Sequence, residues 1–242
     1  MKQFFILSLI IGLSSSCARI KDLKYTGKDE VMNLSKKGLY EIPDEVFENK
    51  ELKVLRLYGN HLDSIPERIG ELKNLEKLYL GRNNLTALPE AIGELENLKI
   101  LSAQYNDIEK LPESVGDLMS LQQLILNQND LTTIPSSIGD LKNLERLELN
   151  FNSITSIPDE IGNCEEMRFL HLNRNNLKNL PESISRLERL KELYLVEAGP
   201  LLELPESMCD MRMMELLVID QVIAIPPCLL VLQANRLVIE VR

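Results

Sequence analysis

The chain has 242 residues, no tryptophan, a formal net charge of -10 at pH 7 and a pI near 4.9. This acidic balance excludes a nucleic-acid-binding or anionic-membrane surface, because both need a basic footprint that displaces counterions. The length suits one or two ordinary domains, or one elongated array. Composition alone names no partner, so the pattern along the chain has to supply the rest.

The first residues have the pattern of an export signal. Lys2 supplies a positive start, residues 4–13 form an apolar run too short to span a bilayer, and three serines precede Cys17. A charged start, a short apolar run and small residues before a cut are typical of a removable signal peptide. We therefore expect residues 1–17 to be such a signal, with a buried amino-terminal strand or helix as the alternative.

Cys17 gives the signal a second feature. A cysteine directly after small residues resembles a bacterial lipobox, in which the thiol is acylated and becomes the first residue of the mature protein. The usual leucine three places earlier is replaced by Ser14, with Leu13 one place further back, and a soluble-secretion cut after Ala18 also fits. Acyl chains contribute about 0.8 kcal/mol per buried CH₂, so a lipid on Cys17 would anchor the protein without a spanning helix. Ala18 beside the cysteine favours the outer over the inner membrane.

From Asp29 onward the sequence repeats every 23 residues. The pattern L-x-x-L-x-L-x-x-N-x-L begins at Leu52, Leu75, Leu98, Leu121, Leu144 and Met167, with degenerate copies near Asp29, Leu190 and Met214. Each of the six regular units continues with an apolar residue before proline, and then with an apolar–glycine pair such as Ile69-Gly70 in five of the six. A period of this length is typical of a solenoid whose units stack to bury a continuous core, here about nine units.

Each slot of the repeat predicts a structural role. The alternating apolar core predicts a short strand with one buried face, and the return of 23 residues predicts a parallel sheet. The repeated asparagine is expected to satisfy backbone groups of neighbouring coils as a ladder along the axis. Proline fixes φ on the returning limb, and glycine is expected to permit a tight bend before the next leucine.

The two halves of each unit, the L-x-x-L-x-L-x-x-N-x-L pattern and the segment with proline and glycine, together resemble the leucine-rich-repeat family. The resemblance is to its 23-residue L-P-x-x-I-G-x-L-x-x-L class, which is shared by bacterial exported proteins and Ras-associated eukaryotic scaffolds. The resemblance covers residues 29–222. It implies an α/β repeat solenoid with a parallel sheet on the concave face and short helical, 3-10 or extended segments on the convex face. We expect an amino-terminal cap at 18–28, repeats at 29–213, and a degenerate last repeat with a carboxy-terminal cap at 214–242. The segment 237–241 alternates and predicts a last strand.

The residues that carry chemistry do not form a catalytic pattern. His61 and His171 lie nearly five units apart, so they predict neither a metal site nor a base–nucleophile pair. Cys164 falls in a leucine slot and is expected to be a buried hydrophobe. Cys209 and Cys228 lie on the last two returning limbs and either form a disulfide or remain free. We expect no enzyme activity and no cofactor.

Function is then expected on the outward positions of the strands and on the strand exits, which face the concave side. Aromatic and arginine residues supply most of the binding energy at protein interfaces, so they are the candidates for a partner site. The candidates are Arg56, Tyr58, Tyr79, Tyr105, Ile125, Arg146, Phe151, Phe169, His171 and Tyr194. The alternative is that they only tile a solvated sheet.

The sequence thus predicts a monomeric, exported and lipid-anchored protein that binds a protein partner through the concave sheet. Exported members of the resembling class serve in adhesion or host interaction, which is an argument from fold alone. One alternative is an intracellular signalling scaffold of the Ras-associated type. Another is glycan binding through tyrosine, asparagine and glutamine on the same face.

Overall fold

The computed structural model describes residues 28–201, 203–233 and 236–242. The export signal, Cys17 and all but Lys28 of the expected amino-terminal cap lie outside these residues. Within the described ranges, no helix has both the length and the apolar character needed to cross a membrane.

Ten short strands form one parallel sheet, in which each strand pairs with its neighbours in chain order. They are β1 Val31–Asn33, β2 Val54–Arg56, β3 Lys77–Tyr79, β4 Ile100–Ser102, β5 Gln123–Ile125, β6 Arg146–Glu148, β7 Phe169–His171, β8 Glu192–Leu195, β9 Leu216–Ile219 and β10 Val238–Val241. The register places equivalent leucines side by side, Leu55 with Leu78 and Leu78 with Leu101. The predicted parallel solenoid is confirmed, and β10 is the last strand expected from the alternation at 237–241.

The returning limbs of seven units carry 3-10 helices, at Glu67–Glu71, Glu90–Glu94, Glu113–Asp117, Ser136–Asp140, Asp159–Asn163, Glu182–Arg186 and Glu206–Asp210. The first and last limbs carry α-helices instead, α1 Asp44–Glu48 and α2 Pro227–Gln233. A proline precedes each 3-10 helix; Pro66 has φ -70° and accepts a hydrogen bond from the Ile69 amide at 3.0 Å. Proline fits here because a helix start has no internal partner for its missing N–H.

The glycines of these limbs have a different role from the one the sequence predicts. A Cβ at Gly93 would lie 2.4 Å from the carbonyl oxygen of Ser114, and one at Gly139 would lie 2.4 Å from that of Glu160. Neither glycine has a positive φ. The expected bend is therefore wrong, and the slot needs glycine because the next coil packs directly against it.

The asparagine ladder is present as expected. The Asn83 Oδ1 accepts from the Leu62 amide at 3.1 Å, and its Nδ2 donates to the carbonyls of Leu57 at 3.1 Å and Leu80 at 2.7 Å. The same pattern recurs at Asn60, Asn106, Asn129, Asn152 and Asn175. Each side-chain amide thus links its own coil to the preceding one through backbone groups that would otherwise be buried without partners.

The ladder ends where backbone takes over from the side chain. Ala198 occupies the next asparagine slot, and its carbonyl accepts from the Leu177 amide at 2.7 Å. Gly199, with φ +128°, follows; a Cβ there would lie 2.4 Å from the Leu177 nitrogen. The extra residue in this unit therefore bends the chain so that a carbonyl replaces an amide side chain.

Both ends of the solenoid depart from the repeat. In the first unit Phe47 occupies a glycine slot and is buried beneath the Arg68 guanidinium, 4.9 Å from the ring centroid. Asn49 occupies a leucine slot, is fully buried, and donates to the Asp29 carbonyl at 2.8 Å. At the other end Cys209 occupies a glycine slot and forms a disulfide with Cys228, with a Cα–Cα distance of 5.6 Å.

Candidate functional site

In each strand the middle residue points to the core, and the residues before and after it point to the concave face. In β2 the middle residue Leu55 is fully buried, while Val54 and Arg56 are partly exposed. The same alternation places Tyr79, Ile125, Arg146, Phe169, His171 and Tyr194 on this face. Tyr58 lies two residues past Arg56 and is also partly exposed.

Tyr105 and Phe151 lie at the strand exits, in a turn slot with φ near +59° and +58°. A left-handed non-glycine residue costs about 1–3 kcal/mol, which surrounding structure must offset. Here the Tyr105 amide donates to the Asn127 carbonyl of the next unit at 2.9 Å. Arg82 and Arg174 occupy the same slot, one period from the two aromatics, although neither is among the residues predicted from the sequence.

Six residues of the amino-terminal half form what we call the amino-terminal patch: Arg56, Tyr58, Lys77, Tyr79, Arg82 and Tyr105. The Arg56 guanidinium lies 5.5 Å from the Tyr79 ring centroid. That of Arg82 lies 4.9 Å from the Tyr105 ring and 5.9 Å from the Tyr58 ring. Each arginine is thus held against a tyrosine by a cation–π contact. Lys77, an outward position absent from the candidate set, lies in the same patch.

A second group, the carboxy-terminal cluster, contains Arg146, Glu148, Phe169, His171, Glu192 and Tyr194. The Arg146 guanidinium lies 4.1 Å from the Phe169 ring centroid and pairs with Glu148 at 3.2 Å. The His171 and Tyr194 rings meet edge to face, with centroids 4.4 Å apart. Beside this cluster Arg174 stacks on Phe151 at 4.8 Å and pairs with Glu197 at 2.9 Å.

His171 on this face has a shifted pKa. Burial lowers the pKa of its imidazole below the ordinary value of 6.5, although the nearby Glu148 carboxylate opposes the shift. Its Nε2 is buried without a hydrogen-bond partner among the described residues, and the Glu192 carboxylate lies 3.9 Å away. The imidazole is therefore neutral at pH 7.

The middle of the face is polar and internally bonded. Ile125 lies between the amino-terminal patch and the carboxy-terminal cluster. Beside it, three asparagines lie at the exits of successive strands: Asn127, Asn150 and Asn173. The Asn127 Oδ1 accepts from the Asn150 amide at 2.8 Å, and the Asn150 Oδ1 accepts from the Asn173 amide at 3.0 Å. These asparagines form a second ladder, in which each side-chain Oδ1 atom already accepts a hydrogen bond from the backbone of the next unit.

Two outward strand positions turn out to be buried. Ser102 is 4% exposed and its hydroxyl donates to the Gln104 side chain, while Val218 is fully buried. Larger neighbours in the same row cover Val218, because the register places it between Tyr194 and Glu240. The concave surface is therefore interrupted at β4 and β9.

The described residues contain no group of three or more histidine, cysteine or acidic side chains placed to hold a metal ion. Cys164 is fully buried, and burial raises the pKa of its thiol to about 12, so it is not a thiolate nucleophile at pH 7. What the face offers is an array of rings, guanidinium groups and carboxylates suited to contact with another molecule.

The family model for the leucine rich repeat matches residues 30–85, 50–108, 73–131 and 142–197, more than half of the chain. The chain belongs to the leucine-rich-repeat family. Members of this fold are typically protein-interaction modules without enzymatic activity, and the face described above is consistent with a protein-binding module. The search of curated proteins finds no match.

Solved structures of leucine-rich-repeat proteins resemble this one over most of its length. A protein of Leptospira interrogans is 30% identical over 82% of this chain and 56% of its own, with a TM-score of 0.70. The ectodomain of the Arabidopsis thaliana receptor kinase GASSHO1/SCHENGEN3 is 30% identical over 74% of this chain and 22% of its own, at 0.66. An internalin of Listeria monocytogenes shares the fold at 17% identity, over 87% and 60%, at 0.74. The chain thus spans at most 60% of these proteins' length.

Proposed function

We propose that this leucine-rich-repeat protein is exported, anchored by a lipid on Cys17, and binds another protein through its concave sheet. The observation that carries the binding proposal is the set of arginine–aromatic contacts on the outward positions of the sheet and at the strand exits. Aromatic and arginine side chains are the residues that most often dominate binding energy at protein interfaces.

Similar proteins support a peptide or protein ligand. The GASSHO1/SCHENGEN3 ectodomain was solved in complex with CASPARIAN STRIP INTEGRITY FACTOR 2, and a plant peptide hormone receptor, RGFR1, was solved with RGF2. Both are 30% identical to this chain over 74% of its length. Glycan binding has less support, because the second asparagine ladder occupies the amide oxygens that would contact sugar hydroxyls.

A crosslinking experiment tests the site. A photoreactive amino acid placed at Tyr79 in the cells that produce the protein should give a protein adduct. The control position is Met119, which is 56% exposed and lies on the loop after a 3-10 helix. A protein adduct at both positions, or at neither, contradicts a concave protein site, and a protease-resistant adduct indicates a glycan.

A combined variant gives the energetic test. Replacing Tyr79, Phe169 and Tyr194 with alanine should abolish capture of the crosslinked partner, because it removes rings from both groups on the face. Each ring removed should cost about 1 kcal/mol of unfolding free energy, because all three rings are partly exposed, and thermal unfolding should show that the variant still folds. Binding at the original affinity would refute the concave site.

Labelling with radioactive palmitate tests the anchor. The natural chain should carry the label in the membrane fraction, and Cys17→Ser should lose it. An unlabelled protein cut after Ala18 would indicate soluble secretion. An uncut protein in the cytoplasm would favour the signalling-scaffold alternative.

A further inference from the structure

We propose that the amino-terminal patch binds an extended acidic segment of the partner protein. Carboxylates of that segment pair with Arg56, Lys77 and Arg82, and its apolar side chains pack on the patch tyrosines. This inference rests on the proposed protein-binding function of the concave face and adds the chemistry of the ligand.

The patch holds cations that the protein itself does not neutralise. Among the described residues, Arg56, Lys77 and Arg82 form none of the ion pairs within 4.0 Å. The lysines in the adjacent row, at the position just before each strand, are paired instead. Lys53 precedes β2 and pairs with Glu30 at 2.7 Å, and Lys99 precedes β4 and pairs with Glu76 at 2.8 Å. Pairing is thus the rule beside the patch and absent within it.

The spacing of these cations suits an extended ligand. The register places Arg56 opposite Tyr79 and Lys77 opposite Val54, so Arg56 and Lys77 are diagonal neighbours on adjacent strands. Diagonal positions in a sheet are about 7–8 Å apart. Alternate side chains of an extended peptide are about 7 Å apart, so every second residue of such a segment can meet one cation.

The tyrosines hold the guanidinium groups in place for this contact. Stacking covers one face of each guanidinium and leaves its N–H edges open, and those edges are what a carboxylate binds in the two-pronged geometry. Gly81 helps, because a Cβ at that position would lie 3.2 Å from the Tyr58 Cδ2 atom and 3.1 Å from the Gln104 carbonyl. Its missing side chain lets the Tyr58 ring lie against the sheet beside Arg82.

Charge elsewhere limits how long the acidic segment can be. The whole chain carries a net charge of -10, and the carboxy-terminal half of the face carries Glu148, Glu192, Glu197 and Asp220. A long polyanion such as a nucleic acid or a sulfated glycan would meet these carboxylates and be repelled. A protein segment with acidic residues confined to one stretch avoids that repulsion.

The probe is a fluorescent peptide of about twelve residues, in which glutamate alternates with tyrosine or leucine, a length that crosses several strands at about 3.3 Å per residue. Its control has glutamine in place of every glutamate. The full chain should bind the glutamate peptide at least about tenfold more tightly at low salt, and raising the salt from about 50 to 200 mM should weaken it. Equal affinity for both peptides would overturn the proposal, as would tighter binding of heparin than of the glutamate peptide.

A charge-matched pair of variants locates the site. The triple change Arg56→Gln, Lys77→Gln and Arg82→Gln should weaken peptide binding by about tenfold or more. The control Lys110→Gln, Lys178→Gln and Arg212→Gln removes the same charge from exposed residues outside the concave strands and should change affinity less than about twofold. Thermal unfolding checks that both variants fold. Equal weakening by the two variants would overturn the patch as the site.

Carbodiimide crosslinking gives a second readout. It joins an amine to a carboxylate, so mass spectrometry should find Lys77 linked to a probe glutamate. Lys77→Arg keeps the charge but has no primary amine, so it should lose this crosslink while weakening binding less than the triple glutamine variant. If the probe neither binds nor crosslinks while Tyr79 still captures a protein in cells, the acidic chemistry is refuted and the protein-binding function stands.

Discussion

The two halves of the concave face use the same residue types with opposite electrostatic outcomes. In the amino-terminal patch Arg56 and Arg82 stack on tyrosines and form no ion pair among the described residues. In the carboxy-terminal half Arg146 and Arg174 stack on Phe169 and Phe151, yet each also pairs with a glutamate. Both halves therefore present rings, but only the amino-terminal arginines also keep their charge open for a carboxylate.

The two halves also differ in how they are held at their ends. At the amino-terminal end, before β2, the buried side chains of Phe47 and Asn49 stabilise the first unit. The carboxy-terminal end has lost the asparagine ladder by Ala198 and carries the Cys209–Cys228 disulfide instead. Within the described residues, covalent and non-covalent contacts thus hold opposite ends of one array, where stacking comes from one side.

The largest expected effect is on this covalent cap. Cys209→Ser should lower the free energy of unfolding of the last units by about 3 kcal/mol, because the bridge spans 19 residues. Hydrogen exchange should become faster in β9 and β10 and stay unchanged in β2 to β4. Cys228→Ser should match it, and the double variant should add nothing. Unchanged exchange in β9, or free thiols at Cys209 and Cys228 in the untreated protein, would contradict the disulfide.

Charge reversal should separate the two halves by binding. Arg56→Glu with Arg82→Glu should weaken the glutamate peptide by about a hundredfold, since attraction becomes repulsion at two open positions. Arg146→Glu with Arg174→Glu makes the same charge change where both arginines are already paired, and should cost less than about threefold. Fluorescence anisotropy measures both affinities. The reverse order of effects would place the acidic ligand on the carboxy-terminal half.

A gain of binding would remove the difference between the halves. Glu148→Gln with Glu197→Gln frees Arg146 and Arg174 while glutamine keeps the hydrogen bond that Asn127 donates to residue 148 at 2.7 Å. We expect a second, weaker peptide site, with the stoichiometry rising from about one to about two in calorimetry. An unchanged stoichiometry would show that open arginine charge is not sufficient.

The smallest effect concerns pH, to which only the carboxy-terminal half should respond through His171. Its pKa is lowered by burial, so the folded state binds its proton less well than the unfolded state. This contribution to stability is complete above 6.5 and is lost as the pH falls below that value toward the lowered pKa. The melting temperature of the natural chain should therefore fall more on acidification than the melting temperature of His171→Gln. Parallel curves for the two proteins would contradict this.

The period of the repeat predicted the strands, their parallel order and the asparagine ladder, because these roles follow from the position of a residue within its own unit. It also placed Tyr79, Phe169 and Tyr194 on the outward positions. The binding residues predicted from the sequence did not include Arg82 or Arg174, although both occupy the same position of the repeat as Tyr105. It assigned the glycines to a bend, whereas Gly93 makes room for the backbone of Ser114 in the next coil.

The sequence by itself therefore determined most of what each unit buries and displays; Ser102 and Val218 are outward positions that the folded array buries. Tertiary structure decided which residues of neighbouring units touch: that Cys209 meets Cys228, that Arg174 meets Glu197, and that Arg56 lies over Tyr79 with no ion-pair partner among the described residues. The physical reason is that these contacts join side chains of different coils, so their distances are set only when the coils stack. Arg174 and Arg56 each meet the residue one period further on, a glutamate in one case and a tyrosine in the other. Whether a displayed charge is paired or open depends on that neighbour and on the distance to it.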